Sequence, residues 1–274
     1  MSLVEADFDY IRDLVYKNAA IVLDSDKGYL VEARLEPVAR RQGLASVAEL
    51  IAKMRGQPAD GLCRSVVEAM ITNETSFFRD YHPFELLKKS VLPELIKRRA
   101  SIRQISIWCA AASSGQEPYT ILMTLREYFP ELASWTITFI ASDISNEMLN
   151  RCRGGCYSQL EVDRGLPAPL LVKYFQKVGT EWRIRDELRA AIDFRPINLA
   201  QPWPAMAPMD IVFMRNVLIY FNAETKKAIF AKVKNILKHD GYLFLGGAET
   251  TMGIDNAFKR VMFDKGFYYQ PEEG

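Results

Sequence analysis

The chain has 274 residues, 49% of them hydrophobic, and sets 35 Lys and Arg against 34 Asp and Glu for a formal net charge of +1. At roughly 150 residues per domain, that length suits one large domain plus a smaller one. The charge balance excludes the broad cationic surface that non-specific nucleic-acid binding requires, and the longest apolar runs, at 211–214 and 242–245, fall far short of the roughly 18 to 20 residues of a membrane span.

The acidic start, Met-Ser-Leu-Val-Glu-Ala-Asp, lacks a basic and then apolar targeting pattern, so a soluble, cytoplasmic protein without direct membrane insertion is expected. Cys63, Cys109, Cys152 and Cys156 match neither paired CxxC zinc spacing nor a disulfide framework. With only His82 and His239 besides, no metal site is expected, and the cysteines read as free thiols in a reducing compartment.

Up to about residue 98 the periodicity is helical, with apolar residues at Phe8, Ile11, Leu14 and Val15, then at Leu30, Leu35 and Val38, and no alternating run. Polar breaks at Asp24-Ser25-Asp26 before Gly28, at Gly43, and at Gly56-Gln57-Pro58 separate the helices, with Asp60 placed to cap the next. His82 and Pro83 open a further helix through Leu86, Leu87 and Val91, because proline suits a first turn where no amide donor is needed. After Arg103 the texture becomes a strand at 105–109, a helix at 117–128, a strand at 136–142 and a helix from Asn146. Later apolar runs at 211–214 and 242–245 flank an amphipathic stretch at 223–237, and 261–269, split by Lys265-Gly266, reads as a terminal hairpin. The polar segment 179–185 predicts a small antiparallel excursion. Strands alternating with helices imply an α/β fold with a mostly parallel sheet covered on both faces. The expected bounds are a small all-α N-terminal domain over 1–75, a linker helix region over 76–98, and an α/β domain over 99–274 that carries the small β subdomain at about 172–195. No internal repeat or low-complexity tract is present.

In open α/β sheets ligands bind outside the carboxyl ends of the strands, so the residues just after each strand are the informative ones. After the first strand comes Ala110-Ala111-Ala112-Ser113-Ser114-Gly115-Gln116-Glu117-Pro118-Tyr119, whose small residues let the backbone approach a ligand. The turn lacks GxGxxG, which argues against a dinucleotide phosphate, and such a turn also serves as an ordinary strand-to-helix connection. Asp143, after Ile140-Ala141-Ser142, is placed either to accept ribose hydroxyls or to cap the helix near Asn146. Asn198-Leu199 and Arg215-Asn216 follow two later strands. Between the helical and α/β regions lies Ile71-Thr72-Asn73-Glu74-Thr75-Ser76-Phe77-Phe78-Arg79-Asp80. Its paired aromatics suit a staple between domains, while its Asn, Thr and Arg suit a ligand crevice.

In order and spacing, the segments 72–80, 115–119, 141–144, 198–199 and 215–221 together resemble the CheR family of chemotaxis receptor methyltransferases, over almost the whole chain from Phe8 to Tyr269. The resemblance implies a Rossmann-like class I S-adenosylmethionine-dependent methyltransferase domain behind the all-α domain. It implies S-adenosyl-L-methionine as cofactor, S-adenosyl-L-homocysteine as product, and methyl transfer to glutamate carboxylates on the cytoplasmic helical region of chemoreceptors, the methyl-accepting chemotaxis proteins. The implied cofactor residues are Asn73, Thr75, Arg79, Glu117, Asp143, Asn198, Leu199, Arg215 and Asn216, with Asp143 at the ribose and Asn198 and Leu199 near the adenine. Arg79 and Tyr220 are implied beside the reacting centre. The chain has Ala111-Ala112 where the family usually has Gly-Cys, and Gln116 where it has Glu. Since alanine takes positive φ less readily than glycine, this loop is where departure from the family geometry is expected.

A glutamate with a pKa near 4.3 is already ionised at neutral pH, so the implied chemistry needs no strong general base, which agrees with a chain holding two histidines. Lys27, Arg34 and Arg41 recur every seven residues with Arg40 alongside, and this basic stripe is a candidate docking surface for an acidic receptor helix as well as an ordinary solvated face. Pro37 is expected to bend or split it. The short 178–181 loop points away from tethering of a receptor C-terminal peptide by strand addition. Two further readings remain open on the sequence: a methyltransferase for another substrate, and a regulatory module that binds the cofactor without turnover.

Overall fold

Two contact-dense units divide the chain in the computed structural model, which describes residues 3–56 and 60–272. The first unit comprises the chain up to Thr72 together with Tyr220–Thr225. It is built from α1 (Glu5–Ala19), α2 (Gly28–Arg41), α3 (Val47–Gly56) and α4 (Asp60–Met70), with a 3-10 turn at Ser25–Lys27 leading into α2. Each helix buries one stripe at helical spacing: Phe8, Ile11, Val15 and Ala19 in α1, and Val31, Leu35, Val38 and Ala39 in α2. Pro37 lies inside α2, which nevertheless runs unbroken. A proline forfeits one backbone hydrogen bond, and the burial of Leu35, Val38 and Ala39 on either side of it holds the helix together. The break expected at Gln57-Pro58 lies outside the described residues, and Asp60 falls in the first turn of α4. The Tyr220–Thr225 segment is tied in by a bridge between Ile21 and Phe221 and by the Val22 N–H, which donates to the Tyr220 carbonyl at 3.0 Å.

The second unit, Asn73–Ile219 and the chain from Lys226 onward, begins with α5 (His82–Leu86), a π-turn at Leu87–Val91 and α6 (Leu92–Arg99). The single helix expected here is thus interrupted. Pro93 supplies no amide to the preceding turn, and the Leu92 N–H reaches back five residues to the Leu87 carbonyl. There follow β1 (Gln104–Ala110), α7 (Gln116–Tyr128), β2 (Thr136–Asp143), α8 (Asn146–Gly154), β3 (Cys156–Tyr157), α9 (Gln159–Asp163), α10 (Ala168–Tyr174), β4 (Phe175–Val178), β5 (Glu181–Ile184), α11 (Asp186–Arg189), β6 (Asp193–Pro196), β7 (Met209–Met214), α12 (Ala223–Ile236), β8 (Leu237–Leu245), β9 (Phe258–Phe263) and β10 (Gly266–Pro271). The first three residues of α12 belong to the first unit.

The main sheet has the order β6-β2-β1-β7-β8-β10-β9. It is parallel from β6 to β8, and the terminal β9–β10 hairpin adds antiparallel to β8. Every residue of β7 is buried, as are all but the first of β1, which is the pattern of strands covered on both faces. Chain order runs outward from β1 to β2 on one side and restarts at β7 on the other, so the switch point lies between β1 and β7. The register pairs Ala110 with Ser142 and Met214, Asp143 with Pro196, and Met214 with Leu245. The residues that follow these strands therefore emerge along one edge of the sheet.

The antiparallel excursion forms a separate three-stranded sheet, β3-β5-β4, which recruits Cys156 and Tyr157 from outside the 172–195 stretch. Both aromatics of the Phe77-Phe78 pair pack inside the second unit. Phe77 lies edge-on to Tyr157 and Phe175 at 5.1 and 5.7 Å, and Phe78 edge-on to Phe84 at 5.6 Å. Among the described residues no helix is long and apolar enough to cross a membrane.

Candidate active site

Asp143 is the last residue of β2 and is buried. Its Oδ2 accepts the Ser113 N–H at 2.8 Å and its Oδ1 the Ser145 N–H at 2.9 Å. It does not cap α8: that place is taken by Ser145, whose hydroxyl accepts the Met148 N–H at 3.3 Å. Asp143 instead joins the end of β2 to the loop after β1, so a carboxylate stands at a strand end beside the switch point.

That loop is tightly wound. Ala111, Ser113 and Gly115 have φ of 57°, 50° and 99°, so Ala111 does occupy the left-handed region that glycine adopts more easily, at a typical cost of about 1 kcal/mol. The Ala112 N–H donates to the Ser142 carbonyl at 2.8 Å, and the Ser113 hydroxyl donates to the Asn73 carbonyl at 2.7 Å. At Gly115 a Cβ would lie 2.9 Å from the Tyr157 hydroxyl and 3.1 Å from Cys152 Sγ, so only glycine fits there.

Arg215, next after β7, has a side chain just 1% exposed. Nη1 pairs with Glu117 Oε1, and Nη2 donates to Asp80 Oδ2 at 2.8 Å and to the Arg79 carbonyl at 3.0 Å. Nε has no hydrogen-bond partner among the described residues. The other Glu117 oxygen accepts the Cys109 thiol at 3.2 Å. Burial, reinforced by Glu117, pushes this thiol well above its ordinary range, so it stays a donor. Arg215 thereby binds the first turn of α7 to the loop that carries Arg79. In that loop Phe78, Asp80 and Tyr81 take φ of 51°, 64° and 48°, a concentration of strained backbone of the kind found at functional sites. Arg79 itself is half-buried and donates from Nη1 to the Glu74 carbonyl at 2.7 Å; Asn73 and Thr75, on the same loop, are likewise half-buried.

Asn198 Oδ1 accepts the Ala200 N–H at 3.0 Å. Lys232 Nζ donates to the carbonyls of Leu199 and Gln201, at 2.5 and 2.8 Å, and sits 4.6 Å over the Trp203 ring. Trp203 in turn lies edge-on to Trp108 at 4.8 Å. Burial lowers the Lys232 pKa. Asn216 has φ of 58° and donates its N–H to Glu249 Oε2 at 2.8 Å.

Of the residues singled out in the sequence, Asp143, Asn198, Leu199, Arg215 and Asn216 thus stand at or just after the carboxyl ends of parallel strands, Glu117 lies in the first turn of α7, and Asn73, Thr75 and Arg79 lie on the loop before α5. Cys109, Lys232 and Glu249 were missed. Lys232 and Glu249 act through backbone groups about thirty residues away, and nothing local in the sequence marks them.

The site's polar groups suit an amino-acid nucleoside: a buried carboxylate to accept from a diol, a guanidinium to donate to a carboxylate, and amide side chains for a base edge. In agreement, residues 73–267 match the SAM binding domain of CheR methyltransferase, and residues 6–71 match its all-alpha domain. The chain belongs to the CheR methyltransferase family. Chemotaxis protein methyltransferase Cher2 of Pseudomonas putida is 39% identical over 274 residues, covering 98% of this chain and 99% of that protein. Chemotaxis protein methyltransferase 1 of Pseudomonas aeruginosa is 40% identical over 275 residues, again covering 98% and 99%. This CheR family member is an S-adenosylmethionine-dependent methyltransferase.

The remaining sequence candidates belong to the first unit. Tyr220 ends the 3-10 turn Leu218–Tyr220 and is half-buried. In and before α2, Lys27 pairs with Asp26 at 3.2 Å and Arg40 with Glu36 at 2.5 Å. Arg34 is tied to the end of α4, donating to the Met70 carbonyl at 2.6 Å and the Thr72 hydroxyl at 2.9 Å. Arg41 is exposed.

Proposed function

We propose that the protein transfers the methyl group of S-adenosylmethionine to glutamate side-chain carboxylates of chemoreceptors, forming methyl esters in chemotaxis adaptation. The observation that carries this reading is the anchoring of the Arg79 loop. Arg215 holds its backbone through the Arg79 carbonyl and Asp80, while the Arg79 guanidinium stays half-exposed, so a fixed positive charge is available to an incoming carboxylate. The relatives' names, chemotaxis protein methyltransferases, support the reading.

The sulfonium cofactor supplies an already activated methyl group, and the glutamate arrives ionised. What the protein adds is alignment, an effect worth up to roughly 7 to 11 kcal/mol. Asn73, Thr75, Glu117, Asp143, Asn198, Leu199, Arg215 and Asn216 hold the cofactor. Arg79, also within that set, steers the carboxylate by charge without clamping it, since a tight bidentate pair would dull the nucleophile. The Tyr220 hydroxyl orients the same carboxylate, a role that rests on the family resemblance. Lys27, Arg34, Arg40 and Arg41 form the docking face for the cytoplasmic helical region of the receptor, with Arg34 also serving as a brace to α4.

The test is Arg79→Ala with a chemoreceptor fragment as substrate and the methylated positions mapped by peptide mass spectrometry. Wild-type protein places the label on glutamate, and the variant loses at least about tenfold in kcat/KM. Turnover within about twofold of wild type, or label on another residue type, contradicts the reading.

A further inference from the structure

The Glu249 carboxylate sits where five backbone N–H groups converge. Oε2 accepts from Asn216 at 2.8 Å and Gly246 at 2.6 Å, and Oε1 accepts from Val217 at 2.8 Å, Leu218 at 2.7 Å and Ile219 at 3.3 Å. Glu249 is 6% exposed. Four of the donors are consecutive, and they point inward together because Asn216 is left-handed, with φ of 58°. Successive amides turned this way form a concave anion-binding nest, here filled by the protein's own carboxylate. The fit is close on the far side too. A Cβ at Gly246 would lie 2.7 Å from Glu249 Oε2, 2.8 Å from Asn216 Nδ2 and 2.9 Å from Asn216 N.

We infer that Glu249 is a positioning residue of the cofactor site: by filling the nest it fixes the left-handed Asn216 and so sets the direction in which Arg215 and Asn216 leave β7. The inference rests on the reading of Arg215-Asn216 as cofactor-binding. A carboxylate suits the task because it only accepts, with two oxygens shared among five donors. Glutamine at this place keeps one accepting oxygen and turns an N–H₂ group against two or three amides, so the turn must open.

The test is calorimetric binding of S-adenosylhomocysteine to full-length wild type, Glu249→Gln, Glu249→Asp and Asp143→Asn, with KM and kcat for methyl transfer measured alongside. Glu249→Gln is expected to weaken binding at least tenfold and to raise KM for S-adenosylmethionine more than it lowers kcat. Glu249→Asp, which keeps the charge but withdraws it by one methylene, falls between. A merely structural role lowers the number of competent sites and the melting temperature and leaves Kd and KM of the folded protein unchanged. Should Glu249→Gln fail to fold, Glu249→Asp binding within twofold of wild type overturns the inference. Glu249→Gln within twofold while Asp143→Asn binds poorly overturns it alone; if both bind as wild type does, the cofactor-site reading falls with it.

Discussion

At the scale of single residues, charge in this protein works mostly by fixing backbone. Arg215 donates to a main-chain carbonyl as well as to side chains, Asp143 accepts two backbone N–H groups, and Glu249 accepts from five backbone amides. That explains what could be read in advance and what could not. Asp143 was recognisable because it ends a predicted strand, but the choice between ribose contact and helix cap needed the structure, which gives the cap to Ser145. Glu249 was not recognisable, since five amides carry no sequence signature. A further cluster lies at the start of α5. Burial alone would raise the Glu85 carboxyl, yet hydrogen bonds from Lys88, Lys89 and Tyr81 bring it down to about 2. Because the folded pKa lies below the unfolded value of 4.5, its contribution is complete above that value and is lost as pH falls through the folded one. Glu85→Gln should therefore destabilise the protein at pH 7 by about 1 kcal/mol, after allowance for solvent screening of this partly exposed group. Denaturant unfolding should show the gap between variant and wild type closing below about pH 4.5; a gap that stays constant down to pH 3 contradicts the assignment.

At the scale of elements, hydrophobic period placed the helices and strands well, because stripes such as Phe8, Ile11, Val15 and Ala19 and runs such as β7 are dictated by burial. What it missed is local backbone. The π-turn before α6 follows from Pro93, and the left-handed Ala111 and Ser113 follow from the hydrogen bonds of their loop, which outweigh residue preference. The basic face of α2 shows the same lesson. At 100° per residue, Arg34 and Arg41 fall within about 20° of one another while Arg40 stands about 100° from Arg41, and Lys27 belongs to the 3-10 turn before the helix, so the face is narrower than four charges suggest. Salt tests its role. Raising ionic strength to about 0.5 M cuts the Debye length to roughly 4 Å, and KM for the receptor fragment should rise severalfold with little change in KM for S-adenosylmethionine. An unchanged receptor KM removes this face as the docking surface.

At the scale of the whole molecule, the order of the strands does the organising. Because β1, β2, β6, β7 and β8 are parallel and in register at their carboxyl ends, segments as distant in sequence as 111–117, 143, 198 and 215–216 emerge along one edge of the sheet. Each of these was readable singly as a turn or a cap, and only their joint order marked the family; the third strand of the small sheet, Cys156–Tyr157, is too short to carry any pattern. Esterification of receptor glutamates is measured by supplying methyl-labelled S-adenosylmethionine and a chemoreceptor cytoplasmic fragment, then collecting label released by mild alkali as volatile methanol. Alkali-labile label should appear only when both the protein and the receptor fragment are present. Cofactor binding without such label, or label that resists alkali, would contradict glutamate esterification.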